Sequence, residues 1–332
     1  MLKLSDQLKQ FYANLRFVYF GTGDFAVAPL RALFAVGARP LAIVTAPDAK
    51  AGREQELTPP PIKAELAHVS PHTPLWQPER LDEAFLGEFR KAQPDIAILA
   101  DYGYIVPQAV LNVPKYGFIN MHPSLLPKYR GATPIEGALL AGEEATGITI
   151  MRMDAQLDHG PLLVQRRTKI RQKETAGMLT KRLARMSALA LVRTLPRIIE
   201  KNMQGKPQDH EQATFTKLMS RQDGKISFAE SAAALERKLR ALTPWPGIYA
   251  IWKRGDEQKR LKILEADAVP YDMPDDENAP TFGTVIAYEN GFGIVTAEGL
   301  FAPRLVQLEG KSPASPKEFL NGYPDIVGSV LV

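Results

Sequence analysis

At 332 residues the chain exceeds what one hydrophobic core usually organises, so two domains are expected. It is 45 % hydrophobic and 23 % charged, which excludes disorder as its main theme, and it has no cysteine, which excludes disulfides, thiolate-bound metals and thiol nucleophiles. The net charge of +4 conceals a division: residues 1–160 carry 15 Lys and Arg against 17 Asp and Glu, residues 161–220 carry 13 against 4, and residues 221–332 carry 13 against 16.

The first residues, MLKLSDQLKQFYANLR, lack the apolar core of a secretory signal, and no run approaches the roughly 18 apolar residues of a membrane span. A cytoplasmic chain without membrane attachment is expected. Residues 16–20 (RFVYF) read as a strand that stops at Gly21, followed by a helix over 25–36. The same grammar returns in the strands 40–46, 95–100 and 117–122, with a helix near 62–67, and then in strands over 147–153 and 160–170. Near-continuous apolar strands alternating with helices predict a parallel sheet covered on both faces. Residues 175–203 read as one or two helices, with Pro196 available to begin or kink the second. The polar stretch 206–220 suits a linker. An amphipathic helix over 228–242 follows, and from residue 248 short strands succeed one another with turns at Gly255, Asn290-Gly291 and Gly299. The expected fold is therefore α/β: a Rossmann-like domain with a mostly parallel sheet over 1–205, a linker over 206–220, and an OB-like β-barrel over 221–332.

Gly21-Thr22-Gly23-Asp24-Phe25-Ala26 fits G-x-G-x-x-A between a strand and a helix, the setting of a dinucleotide fingerprint. Two mismatches favour a structural or substrate-binding turn. Asp24 puts negative charge where a pyrophosphate would lie, and Thr45-Ala46-Pro47 intervenes after the second strand before the first acidic residue, Asp48.

A stronger constellation begins at Asn120-Met121-His122-Pro123-Ser124. Strand alternation sends Asn120 and His122 to one face, at the carboxyl end where open α/β sheets bind ligands. An amide and an imidazole can both aim N–H groups at an oxyanion forming on a carbonyl carbon. A carboxylate partner would orient such an imidazole and favour its charged form. Asp158 in Gln156-Leu157-Asp158-His159-Gly160 is the first candidate, with Asp154 and Asp101 as rivals.

These residues carry a resemblance. Asn120-x-His122-Pro123-Ser124-Leu125-Leu126-Pro127, then Tyr129-Arg130-Gly131-Ala132-x-Pro134-Ile135, then Leu157-Asp158-x-Gly160, resembles the active-site signature of the folate-dependent formyltransferases. Outside that core the chain is similar to the members acting on methionyl-tRNA. The similarity runs through Gly21 to Ala26, the loop Pro47-Asp48-x-x-Ala51-Gly52-Arg53 with Leu57 to Lys63, Asp223-Gly224-Lys225-Ile226, and Pro244-Trp245-Pro246-Gly247. The resemblance implies Asn120, His122 and Asp158 as catalytic residues and no metal. It implies 10-formyltetrahydrofolate as co-substrate, along Leu99, Asp101, Tyr102 and Gly103 with Ser124, Leu125, Leu126 and Pro127. It implies initiator methionyl-tRNA as partner of a monomer, near Gly21, Thr22, Asp24, Phe25, Arg53 and Lys63, with the basic middle segment and the barrel as further contacts. A member acting on an amino-sugar nucleotide, with the same folate donor, is the alternative. The chain departs from the family pattern at Ala49 and Glu54-Gln55-Glu56, where positive charge is usual, and at His159, where a small residue is usual.

Overall fold

The apolar runs become the strands of a seven-stranded sheet: β1 (Phe17–Gly21), β2 (Ala42–Val44), β3 (Leu75–Trp76), β4 (Ile96–Ala100), β5 (Phe118–His122), β6 (Ala145–Arg152) and β7 (Leu162–Lys169). Their order across the sheet is β7-β6-β5-β4-β1-β2-β3. The pairs from β5 through β3 are parallel, while β5–β6 and β6–β7 are antiparallel. Every residue of β1, β4 and β5 is buried, as strands covered on both faces require. Phe20 of β1 centres an aromatic cluster, with ring centroids 5.7 Å from Phe89, 5.4 Å from Tyr102 and 5.1 Å from Phe118.

The computed structural model describes residues 5–51, 55–274 and 279–332. The chain divides into two units, one of Met1–Pro134, Glu144–Ile170 and Met178–Lys217, the other of Ile135–Glu143, Arg171–Gly177 and Leu218–Val332. The sheet belongs to the first. Residues 206–217, expected within a connector, lie in that first unit. There Phe215 and Thr216 pair in parallel with Arg130 and Gly131. The strand β3 and a short antiparallel pair, Ala49–Ala51 with Glu56–Thr58, are additions to the elements read from sequence.

Helices flank the sheet. They include α1 (Asp6–Asn14), α2 (Asp24–Ala35), α3 (Pro61–Val69) and α4 (Glu83–Ala92). The segment expected as one or two helices is a single helix, Ala176–Glu200, with Pro196 inside it. Its buried row Leu179, Leu183, Leu191 and Leu195 follows helical spacing, and Tyr12 of α1 donates a hydrogen bond to the Val192 carbonyl. The opposite row is exposed at Lys181, Arg185, Arg193 and Arg197. No described helix is long and apolar enough to cross a membrane.

The second unit carries a curled antiparallel sheet of β8 (Ile248–Arg254), β9 (Glu257–Val269), β10 (Val285–Tyr288), β11 (Gly291–Val295) and β12 (Leu300–Leu308), in the order β8-β9-β12-β11-β10. Alternate residues Ile248, Ala250 and Trp252 of β8 face a core shared with Leu261, Phe292 and Phe301. The curl brings both edge strands within reach of one segment. The Ser329 carbonyl accepts from Val285 N at 2.9 Å, and Val332 N donates to the Ile251 carbonyl at 3.0 Å. This bridged half-barrel is OB-like, as expected.

Candidate active site

β4 and β5 run side by side in parallel, with Leu99 paired to Asn120, and end together on the carboxyl edge of the sheet. Asn120 and His122 share a face of β5, and both are buried, at 8 % and 4 % exposure. Asp158 arrives from the turn between β6 and β7, where its backbone is left-handed with φ 47°.

Its carboxylate gathers the other two residues. Oδ1 accepts from Asn120 Nδ2 at 3.2 Å, while Oδ2 accepts from Gly131 N at 2.9 Å and lies 3.6 Å from His122 Nδ1. His122 Nε2 sits 2.8 Å from the Tyr129 carbonyl oxygen. A carbonyl only accepts, so Nε2 carries a hydrogen and Nδ1 is the nitrogen left to exchange a proton. Gly131 reaches this place with φ 106°, and a Cβ there would lie 2.5 Å from the Thr216 carbonyl oxygen, so the position requires glycine.

The rival aspartates are engaged elsewhere. Asp154 lies 2.7 Å from His159 Nδ1 and accepts from Gln156 N at 2.9 Å. Asp101 serves the Gly21 turn: its carbonyl accepts from Thr22 N at 2.9 Å, and a Cβ on Gly23 would meet its Oδ2 at 2.1 Å. The Asp101 carboxyl therefore occupies the start of α2, facing the Phe25 N–H. The residue as a whole is exposed, while its carboxyl packs against Gly23 of the turn. That desolvation, reinforced by Asp24, raises its pKa against the pull of the Phe25 N–H. Where a dinucleotide would place a phosphate, the chain places its own carboxyl group.

The segment Ser124 to Pro127 is held from the neighbouring strands. Thr149 Oγ1 donates to the Ser124 carbonyl at 2.7 Å and accepts from Leu126 N at 3.2 Å, and Gln165 Nε2 donates to the Leu126 carbonyl at 2.7 Å. Ser124 and Leu126 are buried, and Leu125 and Pro127 are half-buried. Leu99 and Tyr102 are buried on β4 and its exit, whereas Gly103 is exposed with open space at its Cα.

Of the residues expected near a macromolecular substrate, Phe25 is core, at 3 % exposure. Gly21 is buried and Thr22 half-buried, its Oγ1 accepting from Ala46 N at 3.4 Å, and Asp24 is exposed. Lys63 is paired with both oxygens of Asp48 at 2.8 Å and with Gln77 Oε1 at 3.0 Å, so its charge is largely spent within the chain. Arg53 lies outside the described residues.

Two residues near the site escape sequence reasoning. Gln208 donates through Nε2 to the carbonyls of Asp158 and Gly160, both at 2.8 Å, and its Oε1 accepts from Arg130 Nη2 at 2.7 Å. Arg130 stands in the Tyr129-Arg130-Gly131 motif, but the motif assigns it no task.

A doubly wound sheet with an Asn–His–Asp set at its carboxyl edge and a separate OB-like unit defines an enzyme class. The chain matches the family models "Formyl transferase" over residues 14–195 and "Formyl transferase, C-terminal domain" over residues 218–324, and is a formyl-transferring enzyme. A methionyl-tRNA formyltransferase of Chloroflexus aurantiacus is 41 % identical over 311 residues, covering 93 % of this chain and 97 % of that protein. One from Chloroflexus aggregans is 44 % identical over 312 residues, with the same coverages of 93 % and 97 %. The chain belongs to the methionyl-tRNA formyltransferase family. Among solved structures, a Helicobacter canadensis N-formyltransferase in complex with folinic acid and dTDP-3-aminofucose shares the fold. Its TM-score is 0.63 at 16 % identity, over 87 % of this chain and 99 % of that one.

Proposed function

We propose that the enzyme moves the formyl group of 10-formyltetrahydrofolate to the α-amino group of methionine esterified to initiator tRNA, in the cytoplasm. The observation that carries this reading is the convergence of Asn120, His122 and the Gly131 amide on the Asp158 carboxylate at the sheet edge, in a chain of this family. The relatives bearing the name of that reaction match through both domains, which favours it over amino-sugar formylation.

The neutral amine is a competent nucleophile once held against the formyl carbon. As its nitrogen bonds to that carbon, negative charge develops on the formyl oxygen. Asn120, which has a second amide hydrogen beyond the one given to Asp158, and His122, protonated at Nδ1, stabilise that charge. Asp158 supports the imidazolium and takes up the proton shed by the attacking nitrogen, which passes to the folate nitrogen as its bond to the formyl carbon breaks. Leu99, Tyr102, Leu126 and Pro127 supply apolar walls for the folate, and Gly103 exposed backbone for its polar edge. The Asp101 carbonyl, already accepting from Thr22, contributes to that wall indirectly.

For the tRNA, the exposed row Lys181, Arg185, Arg193 and Arg197 spans about 24 Å of helix and fits a phosphate backbone, a contact that fixes position without reading sequence. The enzyme is tested by offering it 10-formyltetrahydrofolate with charged initiator tRNA or with an amino-sugar nucleotide. Formylated methionyl-tRNA is the expected product, and formylation of the sugar alone would overturn the reading. Single-turnover formylation by the His122→Ala variant at near the normal rate would remove the role given to His122.

A further inference from the structure

We propose that Gln208 is a positioning residue for Asp158, and that Arg130 sets the direction in which Gln208 acts. The inference rests on the reading of Asp158 as the partner of His122. Asp158 holds a left-handed backbone at φ 47°, a conformation that costs a non-glycine residue energy and persists only where its surroundings fix it. Gln208 supplies that fixation. Its two amide hydrogens go to two carbonyls that bracket the turn, Asp158 O and Gly160 O, each at 2.8 Å, and the side chain is buried at 6 % exposure.

An amide can be turned around, and here Arg130 forbids it. A guanidinium only donates, so the Gln208 oxygen must face Arg130 Nη2, 2.7 Å away, and the nitrogen must face the turn. Reversal would set NH2 against the guanidinium and oxygen against two carbonyls. Arg130 is itself 4 % exposed, and its second acceptor is His210 Nδ1 at 2.9 Å. That ring stacks on His159 with centroids 4.0 Å apart and planes 3° from parallel. A guanidinium buried on neutral acceptors is costly to hold, which argues that its orienting effect is used.

Arg130 and Gly131 are consecutive, and this gives the arrangement its logic. Arg130 aims Gln208 at the backbone of Asp158, while Gly131 N holds the Asp158 carboxylate at 2.9 Å. Main chain and side chain of one acid are thus referenced to one dipeptide. A displacement of about 1 Å at a reacting group costs on the order of 100-fold in rate.

The discriminating variant is Gln208→Glu. A carboxylate still accepts from Arg130, and more strongly, so the Arg130 contact is kept, and a merely structural role would show as lost stability without a selective loss of kcat. The carboxylate donates nothing, so it repels the Asp158 and Gly160 carbonyls. The expected result is a lowered melting temperature with the enzyme still folded at the assay temperature, a 10- to 100-fold lower kcat, and KM for folate and methionyl-tRNA within about threefold. The Gly131 amide resonance should also move, since its hydrogen bond reports the carboxylate. Gln208→Asn, which keeps both atom types one methylene short, should fall between the two and gives the same reading if the Glu variant is unstable. Asp158→Asn is assayed beside them. A crippled Asp158→Asn enzyme with a Gln208→Glu enzyme of parental kcat overturns the proposal alone, whereas a fully active Asp158→Asn enzyme removes the reading of Asp158 and the proposal together.

Discussion

Replacing Asp158 with Asn changes few atoms and separates charge from shape. In the native site Oδ1 and Oδ2 accept from Asn120 and Gly131 at 3.2 and 2.9 Å, and Oδ2 stands 3.6 Å from His122 Nδ1. The Asn variant keeps one acceptor oxygen and turns an NH2 toward a neighbour that also donates. One charge-assisted hydrogen bond disappears, about 2 kcal/mol of stability. The kinetic cost is larger. At 3.6 Å and an effective dielectric constant of about 20, unit charges attract by about 4 to 5 kcal/mol. That sets the upper value of what Asp158 contributes once His122 is cationic. At about 1.4 kcal/mol per tenfold, kcat falls by up to about 1,000-fold. The assay is single-turnover formyl transfer with both substrates saturating, paired with steady-state KM values. A kcat loss below tenfold, or a loss confined to KM, would refute an electrostatic role in the transition state.

Gly131→Ala should cost about 2 kcal/mol or more, because its φ of 106° and the Thr216 carbonyl 2.5 Å from the new Cβ both oppose a side chain. Thermal unfolding measures that loss, and kcat should fall with it as the Asp158 anchor shifts. Asp101 has a raised folded-state pKa, so its contribution to stability is fully present below the ordinary carboxylate pKa and is lost as pH rises through the folded value. Asp101→Asn should therefore melt above the parent at pH 7, with the advantage vanishing near pH 3; an advantage that grows in acid would contradict this sign. Alanine at Lys181, Arg185, Arg193 and Arg197 should flatten the plot of log affinity for tRNA against log salt by about 0.7 to 0.9 for each phosphate no longer neutralised. Arg182→Ala, which removes bonds to Thr168 Oγ1 and the Lys169 carbonyl, should leave that slope unchanged.

The proposed catalytic trio is partly legible in the sequence: Asn120 and His122 leave a local trace, whereas Asp158 is separated from its rivals Asp154 and Asp101 only by the family signature Leu157-Asp158-x-Gly160. β5 is a wholly buried run, its two-residue alternation places Asn120 with His122, and Asp158 interrupts two strand-like stretches in a turn. β3 is not legible, since two residues cannot establish a period. α4 is absent from the expected helices although it carries signals, an Asp82 cap accepting from Phe85 N at 3.1 Å and buried Phe85, Leu86 and Phe89. Gln208 leaves none. It acts on main-chain carbonyls 50 and 48 residues away, and a backbone acceptor demands nothing of the side chain that carries it. For the same reason the polar segment 206–217 resembles a connector, although Thr214 binds Tyr129 N at 2.8 Å through its hydroxyl.

The Asp101 carboxyl at the start of α2 bears on what this fold can admit. An anion seeking the Gly21 turn meets a competitor tethered to the adjacent strand, whose effective concentration far exceeds that of any dissolved nucleotide. The turn retains the glycines and the helix dipole of a phosphate cradle, yet its space is filled before any ligand arrives. Cofactor choice in such a sheet can thus be decided by one acid on the next strand, with the glycine motif itself left intact.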